Sequence, residues 1–415
     1  KIIMLRKEED KSYPILELLL ILYVLSGYIK VFLILYNISI GIDITLLLAL
    51  ILVFKVFLSK KIILKSFFTS IVLFLVFFIW MIITIIYSTS NGYLFNKIFL
   101  FSTNIVAFVI PLLLFSKIEI KSLLNKFVLI STPLGICFIA FILPKLYFNE
   151  IYNNASQAYL TVSLFSGMNI LLLLLLKVKL FKNSYINLLF IILNIAVLIL
   201  SGGRGGLVLA FLVLTIFGFF KLKLKLKQLK LILKSISLII LFGFIIGHLI
   251  RQTEYVELFE RSIARLELLT EFNGLNSGGG GKSIEGRVGM LNFSFDKIVH
   301  SPTSLVFGYG IGSFWYEYTG IDGRGYPHNL VLEILFELGL IGLLIFIIFS
   351  GVTLKHFKYT ALSWIVFYLL LNSLKSSSLV DLRILFFMFS LVLIDGSNNF
   401  VLKKKGKNAR NIIKN

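Results

Sequence analysis

The sequence has only one cysteine in 415 residues, Cys137, and that residue lies inside an apolar stretch. A single cysteine excludes an internal disulfide and any metal site built from several thiolates. Charged residues are also scarce, at 15% of the chain, whereas hydrophobic residues reach 58%. Because soluble domains contain about 45–50% apolar residues, this composition excludes a soluble globular protein.

Apolar runs long enough to cross a bilayer fill most of the chain. A transmembrane helix needs about 20 mostly apolar residues. We therefore predict twelve spans, at 13–36, 40–58, 66–87, 98–115, 124–147, 158–176, 184–201, 205–220, 231–250, 328–350, 359–374 and 378–395. The predicted fold class is an all-α integral membrane protein with about twelve transmembrane helices and one large extracytoplasmic loop that contains short helices.

Lysines cluster in every second loop between these spans. The clusters are Lys60, Lys61 and Lys65; Lys117, Lys121 and Lys126; Lys177, Lys179 and Lys182; Lys221 to Lys230; Lys355 and Lys358; and Lys403 to Lys405. The positive-inside rule places these clusters and both termini in the cytoplasm. The formal charge of +21 is thus a topology signal, and no nucleic-acid partner is expected.

This topology divides the chain into four parts. Helices one to nine occupy 1–250, a large outer loop 251–327, helices ten to twelve 328–395, and a basic cytoplasmic tail 396–415. Within the outer loop we predict an amphipathic helix at 254–270, a second helix from Arg287 to His300, and a glycine-rich turn at 307–312. The segment Asn276 to Ser283 resembles a phosphate-binding loop, but it favours a flexible linker because it lies outside and no strand precedes it.

Arginines follow a different distribution from lysines, since six of the nine lie on the outer side. The planar guanidinium suits bidentate recognition of phosphate, so a phosphate-handling site is predicted there, with Arg204, Arg287, Arg324 and Arg265 as candidates. Each has a simpler explanation as well. The glycines around Arg204 are typical of close helix packing, and Arg287 could form a surface salt bridge with Glu285 or Asp296. Arg265 could belong to a solvated helix face.

His328 lies where the outer loop meets a long apolar run. An imidazole there reaches both water and a lipid-borne substrate, and it exchanges a proton near neutral pH. His328 is therefore the candidate catalytic base, and Tyr326 and Asn329 are substrate-binding candidates beside it. The alternative is a histidine that only caps or packs a helix start. Glu333 and Glu337 are expected to orient His328 or an arginine, since buried carboxylates need partners.

In their order along the chain, these motifs resemble the O-antigen ligase and O-antigen or capsule polymerase family. They are Ser-Gly-Gly-Arg-Gly-Gly at 201–206, an outer-loop arginine at Arg287, Phe-Gly-Tyr-Gly-Ile-Gly-Ser-Phe at 307–314, and His328-Asn329 followed after nine residues by Gly339 and then by Gly342. In that family two arginines engage the diphosphate of an undecaprenyl-diphosphate-linked glycan, and a histidine activates the acceptor hydroxyl.

The resemblance assigns these roles to Arg204, Arg287 and His328, which occupy the matching positions. One position departs from the family pattern, because an aromatic residue, commonly Trp, often follows the outer-loop arginine, whereas Leu291 and Phe293 stand here. The implied fold is GT-C-like, and the implied site lies on the outer face of a bacterial cytoplasmic membrane.

The implied function is a polysaccharide polymerase that transfers glycan from undecaprenyl diphosphate to the non-reducing end of a lipid-linked unit. The alternatives are a ligase with lipid A core as acceptor, and a transporter or flippase of lipid-linked glycans. Lys30, Lys55 and an Asp381–Arg383 pair are the features that favour transport. No metal or other cofactor is expected, since the outer face has no histidine cluster or acidic pair with ligand spacing. Expected partners are membrane lipid, lipid-linked oligosaccharides, and a flippase and chain-length regulator of the same pathway.

Overall fold

The computed structural model describes residues 14–35, 38, 43–58, 65–115, 118–142, 158–176, 178, 180–201, 203–222, 280–355 and 361–397. The all-α prediction is confirmed for these residues, which contain no strand. Their helices are α1 Pro14–Leu35, α2 Ile44–Phe57, α3 Lys65–Ile83, α4 Tyr93–Leu113, α5 Ile120–Cys137, α6 Ala158–Leu175, α7 Ser184–Leu200, α8 Arg204–Leu222, α9 Gly280–Val299, α10 Pro302–Phe307, α11 Ser313–Thr319, α12 Leu330–Leu354, α13 Leu362–Ser376 and α14 at 383–397.

Five of the described helical segments are long and apolar enough to cross a membrane. They are Pro14–Leu33, Phe67–Tyr87, Tyr93–Leu113, Ile120–Ile142 and Leu330–Leu354. Shorter apolar helices stand at Ile44–Phe57, Tyr159–Leu175, Ser184–Leu200, Gly205–Phe219 and Leu362–Ser376. The chain is thus a multi-pass membrane protein, and the total of twelve spans stays a prediction. The predicted span at 231–250 and the amphipathic helix at 254–270 lie outside the described residues.

Several predicted boundaries are wrong, each for a local reason. The last span begins at 383 and not at 378, because a 3₁₀ turn, Leu379–Asp381, precedes it. The second outer-loop helix begins at Gly280, seven residues before Arg287. The end of the predicted flexible linker, from Gly280 to Ser283, is therefore helical.

The described residues fall into two compact units. The first unit is drawn from Lys1–Val24, Ile42–Ile120 and Lys282–Asn415, and the second from Leu25–Gly41 and Lys121–Gly281. A cluster of phenylalanines packs in the first unit. The ring of Phe74 lies 4.8 to 5.9 Å from those of Phe101, Phe108, Phe349 and Phe386, and all five side chains are fully buried. In a membrane such rings stabilise the fold by van der Waals packing, since lipid tails are as apolar as the rings themselves.

Polar side chains form hydrogen bonds between the helices of the second unit. The Asn169 amide donates hydrogen bonds of 2.9 Å to Ser131 and to Asn194, and the Asn194 amide donates one of 2.8 Å to Thr132. These side chains join α5, α6 and α7. Buried amides without partners would be unfavourable, so the network favours one register of the three helices.

Helix α12 in the first unit is broken at Gly339, where φ is +67° and ψ is −171°. The break removes intrahelical partners from the preceding carbonyl groups. Other segments replace them. The Tyr309 and Gly310 amides donate to the carbonyls of residues 336 and 337 at 2.8 and 3.0 Å, and the Trp80 indole donates to the Leu338 carbonyl at 2.9 Å. A broken helix at membrane depth is tolerated when its backbone groups are satisfied in this way.

The break explains two of the glycine motifs together. A Cβ on Gly339 would lie 2.2 Å from the Val306 carbonyl oxygen, and one on Gly308 would lie 2.4 Å from the carbonyl of Glu337. Both glycines also have positive φ. The glycine-rich turn at 307–312 therefore fits against the break only when both positions lack a side chain, and the nine residues before Gly339 form the first half of α12.

Candidate functional site

The segment Asp322 to Asn329, here called the histidine loop, joins α11 to α12 at one end of the first unit. Its first residue caps another helix. The Asp322 carboxylate accepts hydrogen bonds from the Gly92 amide at 2.6 Å and the Ser90 hydroxyl at 2.7 Å, at the start of α4. A carboxylate at a helix N-terminus is stabilised by the helix dipole. The loop is therefore anchored six residues before His328.

Two further contacts fix the middle of the histidine loop. Arg324 forms an ion pair with Asp381, at 3.0 and 3.2 Å from the two carboxylate oxygens. The Trp315 ring covers the loop backbone, because a Cβ on Gly325 would lie 2.1 Å from that ring. The loop thus joins the 3₁₀ turn before α14 to helix α11. About half of the Arg324 side chain, 54%, remains exposed.

Asn329 ends the loop as the N-cap of α12. Its side-chain oxygen accepts a hydrogen bond of 3.0 Å from the Leu332 amide, the standard capping interaction. This oxygen is therefore used within the protein, which argues against the predicted role of Asn329 in binding substrate. The cap also settles one question about His328, because the helix start is capped by its neighbour.

His328 is half-buried beside Tyr326, with 4.4 Å between the two ring centroids. The imidazole has a lowered pKa, about 4 instead of 6.5, because burial disfavours its charged form and because the positive charge of Arg287 acts on it. His328 is therefore neutral near pH 7. The charge of Arg287, on α9, therefore acts on the histidine loop.

More charged groups act on the Tyr326 phenol than on the His328 imidazole. Its pKa is raised, first by burial and then by the carboxylates of Asp381 and Glu333, while Arg324 and Arg287 act in the opposite direction. The charges of both arginines therefore act on Tyr326. Among the side chains that the structure describes, Arg287 has no carboxylate partner, and the predicted alternative pairing with Asp296 is not found.

Arg204 is the first residue of α8 and lies in the second unit. The glycines around it permit close packing. A Cβ on Gly206 would lie 2.1 Å from the Ser163 hydroxyl oxygen, and that hydroxyl donates to the Gly203 carbonyl at 2.7 Å. The packing explanation of this motif is thus supported, while the roles of Arg204 stay predictions. Arg265 lies outside the described residues.

The predicted partners of Glu333 and Glu337 are wrong. Neither carboxylate orients His328 or an arginine. Both instead accept hydrogen bonds from Lys97 of α4, at 2.5 and 2.7 Å, and these side chains are almost completely buried. A signal for Lys97 existed in the sequence, since it is a lysine beside an outer loop that otherwise lacks lysine.

This buried cluster, Lys97 with Glu333 and Glu337, is connected on every side. Glu333 also accepts hydrogen bonds from the Ser378 hydroxyl and the Leu379 amide, at 2.9 and 2.8 Å. Glu337 accepts one of 3.0 Å from the Gly312 amide. The cluster therefore joins α4, α12, the glycine-rich turn and the turn before α14.

The Asp381 carboxylate forms its ion pair with Arg324, while the charge of Arg383 also acts on it. The Arg383 guanidinium donates to the Tyr23 carbonyl at 3.1 Å and lies over the Tyr23 ring. In the described part of the chain, no group of three His, Cys, Asp or Glu side chains could hold a metal ion.

Residues 189–347 match a family model described as O-antigen ligase. The matched segment contains Arg204, Arg287 and His328, together with the glycines at 201–206, at 307–314 and at 339 and 342. The predicted resemblance to the O-antigen ligase and polymerase family is thereby confirmed. No curated protein matches the chain.

Proposed function

Residues 189–347 belong to the O-antigen ligase family, and from this premise we propose that the protein is a polysaccharide polymerase. It transfers a glycan from undecaprenyl diphosphate to the non-reducing end of another lipid-linked unit, on the outer face of a bacterial cytoplasmic membrane. The family supports ligase- or polymerase-type glycosyl transfer in general. The choice of polymerase, the polyprenyl donor and the side of the membrane are parts of the proposal.

One observation carries the proposal, namely that the charge of Arg287, a guanidinium without a described carboxylate partner, acts on the half-buried imidazole of His328. Burial and this charge keep His328 neutral at physiological pH. Glycosyl transfer needs a group that accepts the acceptor hydroxyl's proton and a cation that stabilises the departing diphosphate. The pair supplies one of each, within the family-matched segment.

In the proposed reaction, an acceptor hydroxyl oxygen attacks the anomeric carbon of the donor sugar. The hydroxyl proton passes to a neutral nitrogen of His328, and the new glycosidic bond forms as the bond to the diphosphate oxygen breaks. Undecaprenyl diphosphate leaves with the electron pair. Arg287 stabilises its negative charge, and the exposed part of Arg324 offers a further contact. The family resemblance assigns the same charge-stabilising role to Arg204. No step needs a metal.

Donor binding also prepares the base. A bound diphosphate offsets the Arg287 charge that otherwise repels a proton from His328. The imidazole is therefore expected to become more basic in the donor complex than in the free protein. The cation that recognises the donor and the base that activates the acceptor are coupled in this way.

Product analysis with purified protein and a purified lipid-linked repeat unit tests the proposed function. We expect a ladder of lipid-linked products, made equally well in EDTA. Transfer of single units only to a lipid A core acceptor would favour the ligase. Movement of the lipid-linked glycan across vesicles without any new glycosidic bond would favour the flippase, and rate loss in EDTA that is reversed by a divalent cation would contradict the metal-free mechanism.

Replacement of Arg287 by lysine should abolish most transfer although the charge is kept. A point ammonium cannot reproduce the two parallel hydrogen bonds that a guanidinium makes with a diphosphate. Initial rates at saturating and limiting donor measure the loss. Arg261→Lys is the matched control and should be nearly silent, because Arg261 falls within the predicted amphipathic helix at 254–270, where we expect it on the solvated face. Polymer at the wild-type rate from Arg287→Lys would remove Arg287 from the diphosphate site.

A further inference from the structure

His328 has an unusual backbone for a residue with a side chain. Its φ is +55°, and in the described part of the chain it is the only residue other than glycine with a positive φ. Such a conformation is unfavourable unless the surroundings hold it. Its buried Nδ1 finds no hydrogen-bond partner within the described residues. The position of the imidazole therefore depends on the surfaces against which it packs.

Tyr326 supplies one of these surfaces. Its side chain is 7% exposed, and its ring lies 4.4 Å from the imidazole at an angle of 53°. The Tyr326 hydroxyl donates to the Ser376 carbonyl at the end of α13, at 3.4 Å. The Trp315 ring lies against the backbone of Gly325, the preceding residue. Tyr326 is thus held at both ends, whereas the histidine is not.

We propose that Tyr326 is a positioning residue for His328, and that its ring fixes the imidazole and shields it from water. The inference rests on the proposed role of His328 as the base. It replaces the role predicted from sequence, in which Tyr326 binds substrate. The aromatic ring of Tyr326 positions the imidazole, because the ring contacts it. The hydroxyl of Tyr326 only anchors the ring, through its long hydrogen bond to Ser376.

The positioning role of the Tyr326 ring can be distinguished from the effect of nearby charges on the pKa of His328. Arg287 of α9 is the charged group that acts on the imidazole, whereas Tyr326 is reached by Asp381, Glu333, Arg324 and Arg287. A neutral substitution of Tyr326 leaves all of these charges in place. A change in the titration of His328 would therefore report the loss of shielding by the ring.

The test is the titration of His328 in the full-length protein, with carbon-labelled histidine followed by NMR in detergent. The chain has four histidines, and His328→Gln identifies the signal. In Tyr326→Ala the pKa of His328 should rise from about 4 toward 6.5, because water reaches the imidazole. In Tyr326→Phe it should stay low. Tyr316→Ala removes an exposed tyrosine of α11 and is the matched control, with no expected change.

Two results would overturn the proposal. One is an unchanged His328 titration in Tyr326→Ala, and the other is a Tyr326→Phe variant that titrates like Tyr326→Ala. If the alanine variant does not fold, Tyr326→Leu keeps most of the volume without the flat ring and gives the same comparison. The titration needs no turnover, so its outcome is separate from the proposed function, which fails instead if His328→Gln remains active.

Discussion

His328→Gln is expected to lower the rate of glycosyl transfer by at least about 100-fold, since a positioned base contributes roughly 10²–10⁴-fold. Glutamine keeps the hydrogen-bonding capacity but cannot accept the proton of the acceptor hydroxyl. Donor binding should persist, because Arg287 is unchanged. Initial rates at saturating donor, donor affinity and folded yield should be measured together. His300→Gln is the matched control, since His300 is exposed at the end of α9, and it should transfer at the wild-type rate.

The competing explanation is that the histidine only supports the helix start. It predicts that glutamine restores most of the activity. The structure argues against it, because Asn329 and not His328 caps α12. A His328→Gln variant with substantial activity and normal folded yield would nevertheless remove His328 from the role of base.

The pH dependence of the wild-type rate should differ from the expectation for an ordinary histidine. An unperturbed imidazole would give an acid limb between about pH 6 and 7. A base is useful only when neutral, and burial together with Arg287 lowers the pKa of His328 to about 4. At limiting substrate, the rate should therefore stay level down to about pH 5 and fall as pH approaches 4. At saturating donor the limb should lie at higher pH, because the diphosphate offsets the Arg287 charge.

The sequence predicted the helical class correctly, for an identifiable reason. Long apolar runs indicate transmembrane helices, because a helix forms all of its backbone hydrogen bonds within one segment and can therefore lie in lipid. The glycine motifs were also informative. The spacing from His328 to Gly339 corresponds to the first half of a broken helix, and Gly308 and Gly339 meet at the break. The sequence pattern marked both glycines without revealing that they touch.

Contacts between distant residues could not be predicted. Glu333 and Glu337 needed a cation, but the nearest candidates along the chain were His328 and Arg324, whereas the true partner is Lys97 on another helix. The ion pair of Arg324 with Asp381 likewise joins residues that are far apart along the chain. Such pairings depend on which helices are neighbours. A single sequence does not encode that in any local pattern.

Lys97→Met should have the largest effect on stability among substitutions away from the site. Removing the lysine leaves Glu333 and Glu337 buried side by side without a cation, and breaking a buried ion pair typically costs about 3–5 kcal/mol. That is a large fraction of the stability of a typical domain. We expect little folded protein, measured as the monodisperse fraction in size-exclusion chromatography and as the thermal midpoint in detergent. Lys182→Met, at an exposed position just before α7, is the matched control and should behave like wild type.

A neutral replacement of the whole cluster shows whether Lys97 stabilises the fold through its charge or through the space that it fills. In the triple variant Lys97→Met, Glu333→Gln and Glu337→Gln, no unpaired charge remains, and well-packed neutral groups can replace a buried ion pair at little loss. The glutamine oxygens can still accept hydrogen bonds from the Leu379 and Gly312 amides, and the new amide NH2 at position 333 can donate to the Ser378 hydroxyl. Folded yield should therefore recover relative to Lys97→Met alone. If the single variant is as stable as wild type, or the triple variant is no better than the single one, the buried lysine does not hold α4, α12 and the two turns together through its charge.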